Sequence, residues 1–268
     1  MPGIKTIRDL TYAEYGDVSL PLDLHIPEDA ENPPVILWIP VGGWRNSNRD
    51  GAPVWLTEHG FAVACNHCRV SSEALAPATV HDCKAAVRWL RANGEEYGLN
   101  TNRIGVSGGS AGGHLSALLG VSASVAALEG GGGNPDASST VQAFCDICGP
   151  TDLTRMADAS ICEHYPVLQE VTENFVGGPV AEHLDLARLV SPLNYVSSDS
   201  APCLIIHGDE DPTVPVIESH LFHDALKEAG VDVSLKVLEG VGHGCPLEDY
   251  RQELVDFFSK HLVEKDRH

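Results

Sequence analysis

The feature that most constrains the fold of this chain is a short apolar segment followed directly by a Gly-x-Ser-x-Gly sequence. Residues 103–107 are predicted to form a strand, residues 108–112 read Gly-Gly-Ser-Ala-Gly, and a helical pattern continues through 115–119. A serine between a strand and a helix needs a tight, strained turn whose neighbours have almost no side chain. Its hydroxyl then stands at the carboxyl end of the strand, beside the first free N–H groups of the helix. The pattern predicts that Ser110 is a nucleophile.

The rest of the chain alternates strand and helix patterns around this turn. The predicted strands lie at 19–26, 35–39, 61–65, 103–107, 141–147, 203–207 and 233–238, and the predicted helices at 77–97, 115–119, 215–229 and 247–262. Strands that alternate with helices predict a mostly parallel sheet with helices on both faces. The alternating segment at 19–26 predicts an antiparallel strand near the edge.

The chain length suits one α/β domain over residues 1–268. The segment 152–194 fits the alternating pattern poorly, because it is polar and contains Pro166, Pro179 and Pro192. We interpret it as a lid-like excursion over the carboxyl edge of the sheet, within the same domain.

Two downstream loops offer the base and the acid that a nucleophilic serine needs. Asp211 follows a predicted strand and is our choice for the acid, with Asp209 and Glu210 as the competing carboxylates. His243 lies between glycines after the last predicted strand. The chain order Ser110, Asp211, His243 is the order expected when the serine sits in such a turn.

Residues near the end of the strand at 35–39 are candidates for the substrate side. The glycines at 42 and 43 allow backbone N–H groups to approach a developing negative charge. Val41, Trp44 and His114 are candidate walls of the substrate pocket, with packing as the alternative role of Trp44 and His114.

Composition excludes several classes of function. Seventeen basic and 38 acidic residues give a formal net charge of −21, which disfavours nucleic acid and anionic membrane surfaces as partners. The first residues contain no apolar signal segment, which predicts a soluble, cytoplasmic protein, with a trimmed secreted chain as the alternative. Two Cys-x-x-Cys pairs lie in strand-like apolar runs and favour buried core cysteines over a zinc site, so we expect no metal.

Several motifs together resemble the esterase/lipase branch of the α/β-hydrolases, most of all the bacterial feruloyl- and acetylxylan-esterase-like proteins. These segments read Gly42-Gly43-Trp44-Arg45, Gly109-Ser110-Ala111-Gly112-Gly113-His114, Gly149-Pro150-Thr151-Asp152 and His207-Gly208-Asp209. The resemblance implies an α/β-hydrolase fold with a mostly parallel eight-stranded sheet, a Ser-Asp-His triad, no cofactor and no metal. It also implies that the N–H groups of Gly42, Gly43 and Ala111 form the oxyanion hole.

The resemblance predicts a serine carboxylesterase that hydrolyses short-chain acyl esters, with acetylated or feruloylated carbohydrates among the substrate classes, through an acyl-enzyme. Two alternatives stay open, a serine peptidase or amidase on the same scaffold and an inactive member that acts as a small-molecule receptor. The family usually has His-Gly where this chain has Pro40 and Val41, and this departure is the feature that favours the receptor. The sequence leaves the oligomeric state unknown.

Overall fold

The computed structural model describes residues 3–263. The strands in this range are β1 (Ile4–Tyr15), β2 (Val18–Pro27), β3 (Pro34–Trp38), β4 (Val41–Gly42), β5 (Asn46–Ser47), β6 (Ala62–Asn66), β7 (Asn100–Gly109), β8 (Ala143–Ile147), β9 (Cys203–Gly208) and β10 (Val233–Leu238). The helices are α1 (Ala78–Asn93), α2 (Ala111–Val121), α3 (Ala159–Cys162), α4 (Pro166–Val176), α5 (Leu184–Leu189), α6 (Ile217–Glu228) and α7 (Arg251–Leu262). None of the helices within residues 3–263 is both long enough and apolar enough to span a membrane.

Eight of the strands in the described range form one sheet in the order β1-β2-β6-β3-β7-β8-β9-β10. Pairing is antiparallel between β1 and β2 and between β2 and β6, and parallel from β6 to β10. The predicted mostly parallel sheet of eight strands is confirmed. All strands from β6 to β10 therefore end at one edge, where the loops after β3, β7, β8, β9 and β10 meet.

Two apolar cores, one on each face of the sheet, show that helices cover both sides. Alternate residues of the central strands point to opposite faces. One set, which includes Val35, Leu37, Val106 and Ile205, packs with side chains of α1, α2 and α6. The other set, which includes Ile36, Val63, Leu204 and Ile206, packs with side chains of α7. The predicted cover of helices on both faces is confirmed.

The segment 152–194 contains more regular structure than its sequence pattern suggests. It carries α3, α4 and α5, which are 4, 11 and 6 residues long, joined by short 3₁₀ turns. The proline at 166 does not break a helix because it occupies the first turn of α4, where no N–H is needed. Helix α4 lies beside the loop that follows β3.

Some boundaries differ from the sequence prediction for local reasons. The helix predicted over 77–97 ends at Asn93, and Gly94–Tyr97 continues as a tighter 3₁₀ turn. The hairpin of β4 and β5 was not predicted, because two residues in each strand are too few to show alternation. This hairpin contains Gly42 and holds the loop after β3 at the carboxyl edge.

Candidate active site

Ser110 lies in the turn between β7 and α2, and its backbone is strained. Its φ and ψ are 55° and −120°, a conformation that residues with a side chain seldom adopt. The turn is held because the N–H of Ser110 donates to the carbonyl oxygen of Ile147 at 2.8 Å. A Cβ atom at Gly108 would lie 2.6 Å from the backbone of Gly112, so only glycine fits there. The local sequence thus fixes Ser110 at the carboxyl edge of the sheet.

The structure brings together the three residues that the sequence analysis selected as nucleophile, base and acid. Ser110 Oγ lies 2.9 Å from His243 Nε2, and His243 Nδ1 lies 2.7 Å from Asp211 Oδ2. Because the Asp211 carboxylate accepts, Nδ1 carries the ring proton and Nε2 is free to accept from Ser110. Asp209 and Glu210 are both exposed, whereas Asp211 is buried. Of the three competing carboxylates, Asp211 is the one that contacts His243.

Asp211 is held by several donors besides His243. Its Oδ1 accepts from the N–H groups of Thr213 at 2.7 Å and Val214 at 2.9 Å. Its Oδ2 also accepts from His207 Nε2 at 3.2 Å. Burial alone would raise the pKa of Asp211, but the hydrogen bonds from His207, His243 and the backbone outweigh burial and lower the pKa below its ordinary value. The carboxylate therefore stays ionised at neutral pH.

His207 is a residue of the site that sequence reasoning missed. It lies on β9, four residues before Asp211, and is completely buried. Its Nδ1 accepts from the hydroxyl of Ser219 at 2.7 Å, which leaves the Nε2 proton for Asp211 and for the carbonyl oxygen of Val214 at 3.0 Å. The sequence did contain a signal, because a histidine at the end of a predicted strand lies only four residues before the acid. Spacing alone, however, does not distinguish such a histidine from one that merely packs in the core.

Ser110 and His243 open into a cavity of about 320 Å³. The cavity is also lined by Gly42, Gly43, Trp44, Arg45, Ala111, Pro150, Val167, Leu168, Val171, Thr213 and Val214. The three residues predicted to donate to an oxyanion, Gly42, Gly43 and Ala111, therefore share one cavity with the serine. Its far wall is apolar and belongs to α4. The arrangement offers a nucleophile, a base, backbone donors and a small apolar pocket.

The three predicted wall residues occupy different positions. Trp44 lines the cavity and stacks on Phe175, with ring centroids 4.7 Å apart. His114 is completely buried and contacts protein groups instead, because its Nδ1 accepts from Trp44 Nε1 at 3.2 Å and its Nε2 donates to Val190 O at 2.6 Å. Burial lowers the pKa of His114 to about 4. Val41 is buried in the core beside α2 and does not line the cavity. His114 and Val41 thus support the loops by packing.

All eight cysteines are free and buried. Cys68 lies beside Cys83, with the two sulfur atoms 3.5 Å apart, and not beside its sequence neighbour Cys65. Cys148 lies beside the triad, where its sulfur, a carboxylate oxygen of Asp211 and a ring nitrogen of His243 are all within 4.8 Å of one another. The Cys-x-x-Cys spacing in the sequence therefore did not indicate which thiols meet in the fold.

Comparison with known proteins assigns the family. The family model of BD-FAE matches residues 22–226, which is more than half of the chain. The chain belongs to the BD-FAE family. Its fold and its motifs place this BD-FAE member in the esterase branch of the α/β-hydrolases, as the sequence motifs predicted.

Individual proteins similar to this BD-FAE member are esterases. Esterase LipQ of Mycobacterium tuberculosis is 33% identical over 220 residues, which are 80% of this chain and 51% of LipQ. The chain thus spans about half the length of that relative. A truncated carbohydrate esterase from gut microbiota superposes with a TM-score of 0.80 at 31% identity, covering 97% of both chains. Propionate-bound esterase 2 of Thermogutta terrifontis superposes with a TM-score of 0.74 at 26% identity, covering 98% of this chain and 94% of that one.

Proposed function

We propose that this protein is a serine carboxylesterase that works through an acyl-enzyme on Ser110. The observation that carries the proposal is the continuous hydrogen-bonded chain from Ser110 through His243 to Asp211, which opens into a cavity. The esterase names of the similar proteins support the same chemistry. The intact hydrogen bonds also argue against an inactive receptor, which has no need of an ionised acid behind a correctly oriented histidine.

In the first half of the reaction, Ser110 Oγ attacks the ester carbonyl carbon while its proton passes to His243 Nε2. Asp211 holds the Nδ1 proton and stabilises the imidazolium that forms. The carbonyl oxygen gains negative charge, and the N–H groups of Gly42, Gly43 and Ala111 donate to it. His243 then gives its proton to the alcohol oxygen, the C–O bond breaks, and the acyl group stays on Ser110.

In the second half, water takes the place of the alcohol. His243 removes a proton from the water, the hydroxide attacks the acyl carbon, and the same N–H groups stabilise the oxyanion. The proton then returns to Ser110 Oγ as the carboxylic acid leaves. Each residue therefore acts twice, and no other group is needed to balance the protons.

The size of the cavity favours short acyl groups. About 320 Å³ must accommodate the acyl chain and part of the alcohol, and Leu168 and Val171 close the apolar wall. We extend the proposal to acetylated carbohydrates, because one similar structure is named a carbohydrate esterase. A feruloyl group, which is large and aromatic, does not suit a pocket for short acyl chains. Arg45, which is exposed, and Thr213 add polar groups to the lining of the same cavity.

The test is hydrolysis of p-nitrophenyl esters from acetate to decanoate by the wild type and by Ser110→Ala. We expect an optimum at acetate to butyrate, and a loss of kcat of about 10⁶-fold in Ser110→Ala, as for other serine hydrolases that lose the nucleophile. Ser116→Ala on α2 is the matched control, since its hydroxyl donates to Gly112 O and not to the triad. A folded wild type without turnover would contradict the proposal and favour a receptor or an amidase.

A phosphonate ester that carries a p-nitrophenyl leaving group tests the acyl-enzyme step directly. We expect the native protein to gain one phosphonyl group, located on Ser110 by peptide mass spectrometry. Ser110→Ala and the heat-denatured wild type should gain none. Labelling of another residue in an active enzyme would contradict the assignment of the nucleophile.

A further inference from the structure

One carboxylate oxygen of Asp211 accepts hydrogen bonds from two histidines. Oδ2 lies 2.7 Å from His243 Nδ1 and 3.2 Å from His207 Nε2, whereas Oδ1 accepts from two backbone N–H groups. His243 contacts Ser110 and lines the cavity, but His207 is completely buried and is not among the residues that line the cavity. Two imidazoles therefore share the charge of one oxygen atom, and one of them lies in the protein interior, away from substrate.

The hydroxyl of Ser219 fixes the ring nitrogen from which His207 donates. Ser219 Oγ lies 2.7 Å from His207 Nδ1, on the side of the ring away from Asp211. His207 Nε2 faces two acceptors, Asp211 Oδ2 and the carbonyl oxygen of Val214 at 3.0 Å. The neutral ring therefore carries its proton on Nε2 and accepts from Ser219 at Nδ1, which also strengthens the Nε2–H bond. The hydrogen-bonded chain from Ser219 ends on the same oxygen as the chain from Ser110.

Contacts of the first turn of α6 hold Ser219 in place. The preceding residue, Glu218, is buried, and its Oε2 accepts from the N–H groups of Thr151 at 3.0 Å and Asp152 at 2.8 Å. The hydroxyl of Thr151 donates to the backbone carbonyl oxygen of Glu218 at 3.0 Å. These bonds tie α6 to the loop after β8, and Ser219 itself is completely buried. The position of its hydroxyl is thus set by contacts outside the triad.

We propose that His207 and Ser219 are positioning residues that limit how much of the negative charge of Asp211 acts on His243. A donor on Oδ2 neutralises part of the charge that this oxygen presents to His243 Nδ1. Without that donor the full charge favours the imidazolium, and less of the neutral base is present at neutral pH. The two buried residues thereby keep His243 ready to accept a proton. This consequence rests on the proposed esterase function, because it concerns the base of that reaction.

Other ionisable groups surround this hydrogen-bonded chain and are the same in the wild type and in the variants compared below. A difference between the wild type and a variant at His207 or Ser219 therefore isolates the hydrogen bond that His207 donates. The surrounding groups are Asp146 on β8, Cys148 after β8, Glu218 on α6 and Cys245 after His243.

The kinetic test compares His207→Phe, which keeps a ring but loses the N–H donor, with His207→Gln, which keeps an amide N–H. In His207→Phe we expect the acidic limb of kcat/KM for p-nitrophenyl acetate to move up by about 0.5–1 pH unit. At pH 7, kcat should fall about three- to tenfold and KM should stay the same, since His207 does not line the cavity. His207→Gln should restore most of the difference, and Ser219→Ala should move the limb in the same direction by less. Ser122→Ala is the matched control, because this completely buried hydroxyl donates to Leu118 O within α2 and its flank.

Nuclear magnetic resonance of protein with isotope-labelled histidine makes the test independent of turnover. The His243 signal, assigned by its loss in His243→Gln, gives the titration midpoint directly, and the nitrogen shifts of His207 report which ring nitrogen carries the proton. We expect a higher His243 midpoint in His207→Phe and a proton on His207 Nε2 alone in the wild type. If His207→Phe does not fold, as judged by circular dichroism, Ser219→Ala gives the decisive comparison.

An unchanged or lower His243 midpoint in the folded variants would overturn the proposal, and so would a proton on His207 Nδ1 in the wild type. Turnover without a shifted midpoint would leave the esterase function standing and refute the role of His207 and Ser219. A shifted midpoint in a protein without turnover would support that role and refute the esterase function.

Discussion

The carboxylate of Asp211 faces two histidines and two backbone N–H groups, so its loss has a specific expected cost. In Asp211→Asn the amide donates toward His243 and favours the wrong ring tautomer, and we expect kcat/KM for p-nitrophenyl acetate to fall by about 10⁴-fold. Glu210→Gln is the control, because Glu210 is exposed beside Asp211 in the chain. If the two variants lost activity equally, the acid would have been assigned to the wrong carboxylate.

The same contact sets the pH dependence. Burial lowers the pKa of His243, but the hydrogen bond and the charge of Asp211, together with the neighbouring Cys148, outweigh burial and raise the pKa above 6.5. Only the neutral imidazole accepts a proton, so kcat/KM falls as pH decreases through this raised pKa. Asp211 remains ionised throughout, since its own pKa is lowered.

We therefore expect the acidic limb of a kcat/KM profile to have its midpoint above pH 6.5. Rates of p-nitrophenyl acetate hydrolysis between pH 5 and 9, corrected for the spontaneous reaction, measure it. Circular dichroism at each pH separates titration from unfolding. A midpoint below 6.5 in folded protein would show that burial outweighs Asp211.

At the scale of single residues, the sequence identified those whose side-chain chemistry and whose position along the chain indicate the same role. Ser110 has a strand before it and a helix after it, and His243 follows the last strand, so both were selected without the structure. The sequence analysis chose Asp211 but kept Asp209 and Glu210 as competing carboxylates, because the direction of a side chain in a loop depends on which N–H groups the carboxylate meets. His207 and His114 resemble core histidines in sequence, and only their contacts reveal their roles.

Helix α4 is the element that sets the depth of the cavity. Leu168 and Val171 point into it, and a Cβ atom at Gly43 would lie 3.2 Å from Val171. We expect Val171→Ala to lengthen the preferred acyl chain by about two carbons, because deleting two methyl groups opens space along the wall. The measurement is the ratio of kcat/KM for hexanoate to that for acetate.

Val176→Ala is the matched control on the same helix. Val176 is equally buried but lies outside the cavity lining. It should lower stability to a similar extent and leave the ratio unchanged. An equal change in both variants would mean that the helix moves as a unit and that Val171 does not define the wall.

The predicted elements that the structure confirms are those with a strong periodic pattern. The central strands are continuous apolar runs, and α6 and α7 show helical spacing. These elements could therefore be predicted without knowledge of their tertiary contacts. The hairpin of β4 and β5 and the helices within 152–194 depend on contacts with distant elements, such as Arg45 with Glu170 at 2.9 Å. Contacts between distant elements produce no periodic pattern in the sequence.

At the scale of the whole molecule, the net charge of −21 repels anionic substrates. Raising ionic strength from 0.01 to 1 M shortens the screening length from about 30 to 3 Å. We expect kcat/KM for p-nitrophenyl hemisuccinate to rise roughly tenfold over this range, while that for neutral p-nitrophenyl acetate stays within about twofold. A decrease for the hemisuccinate would mean that Arg45 at the cavity dominates the local potential.

The glycines around Ser110 have a consequence for which positions of this protein can change. A Cβ atom at Gly112 would lie 2.3 Å from Ile39 O, and one at Gly113 would lie 2.4 Å from Asp146 Oδ1. A side chain at either position would therefore push the start of α2, and with it Ser110, away from the segment after β3 or from β8. Substitutions on α4 and in the loop after β3 are the ones expected to change substrate preference, because there a different side chain alters the pocket and leaves the nucleophile in place.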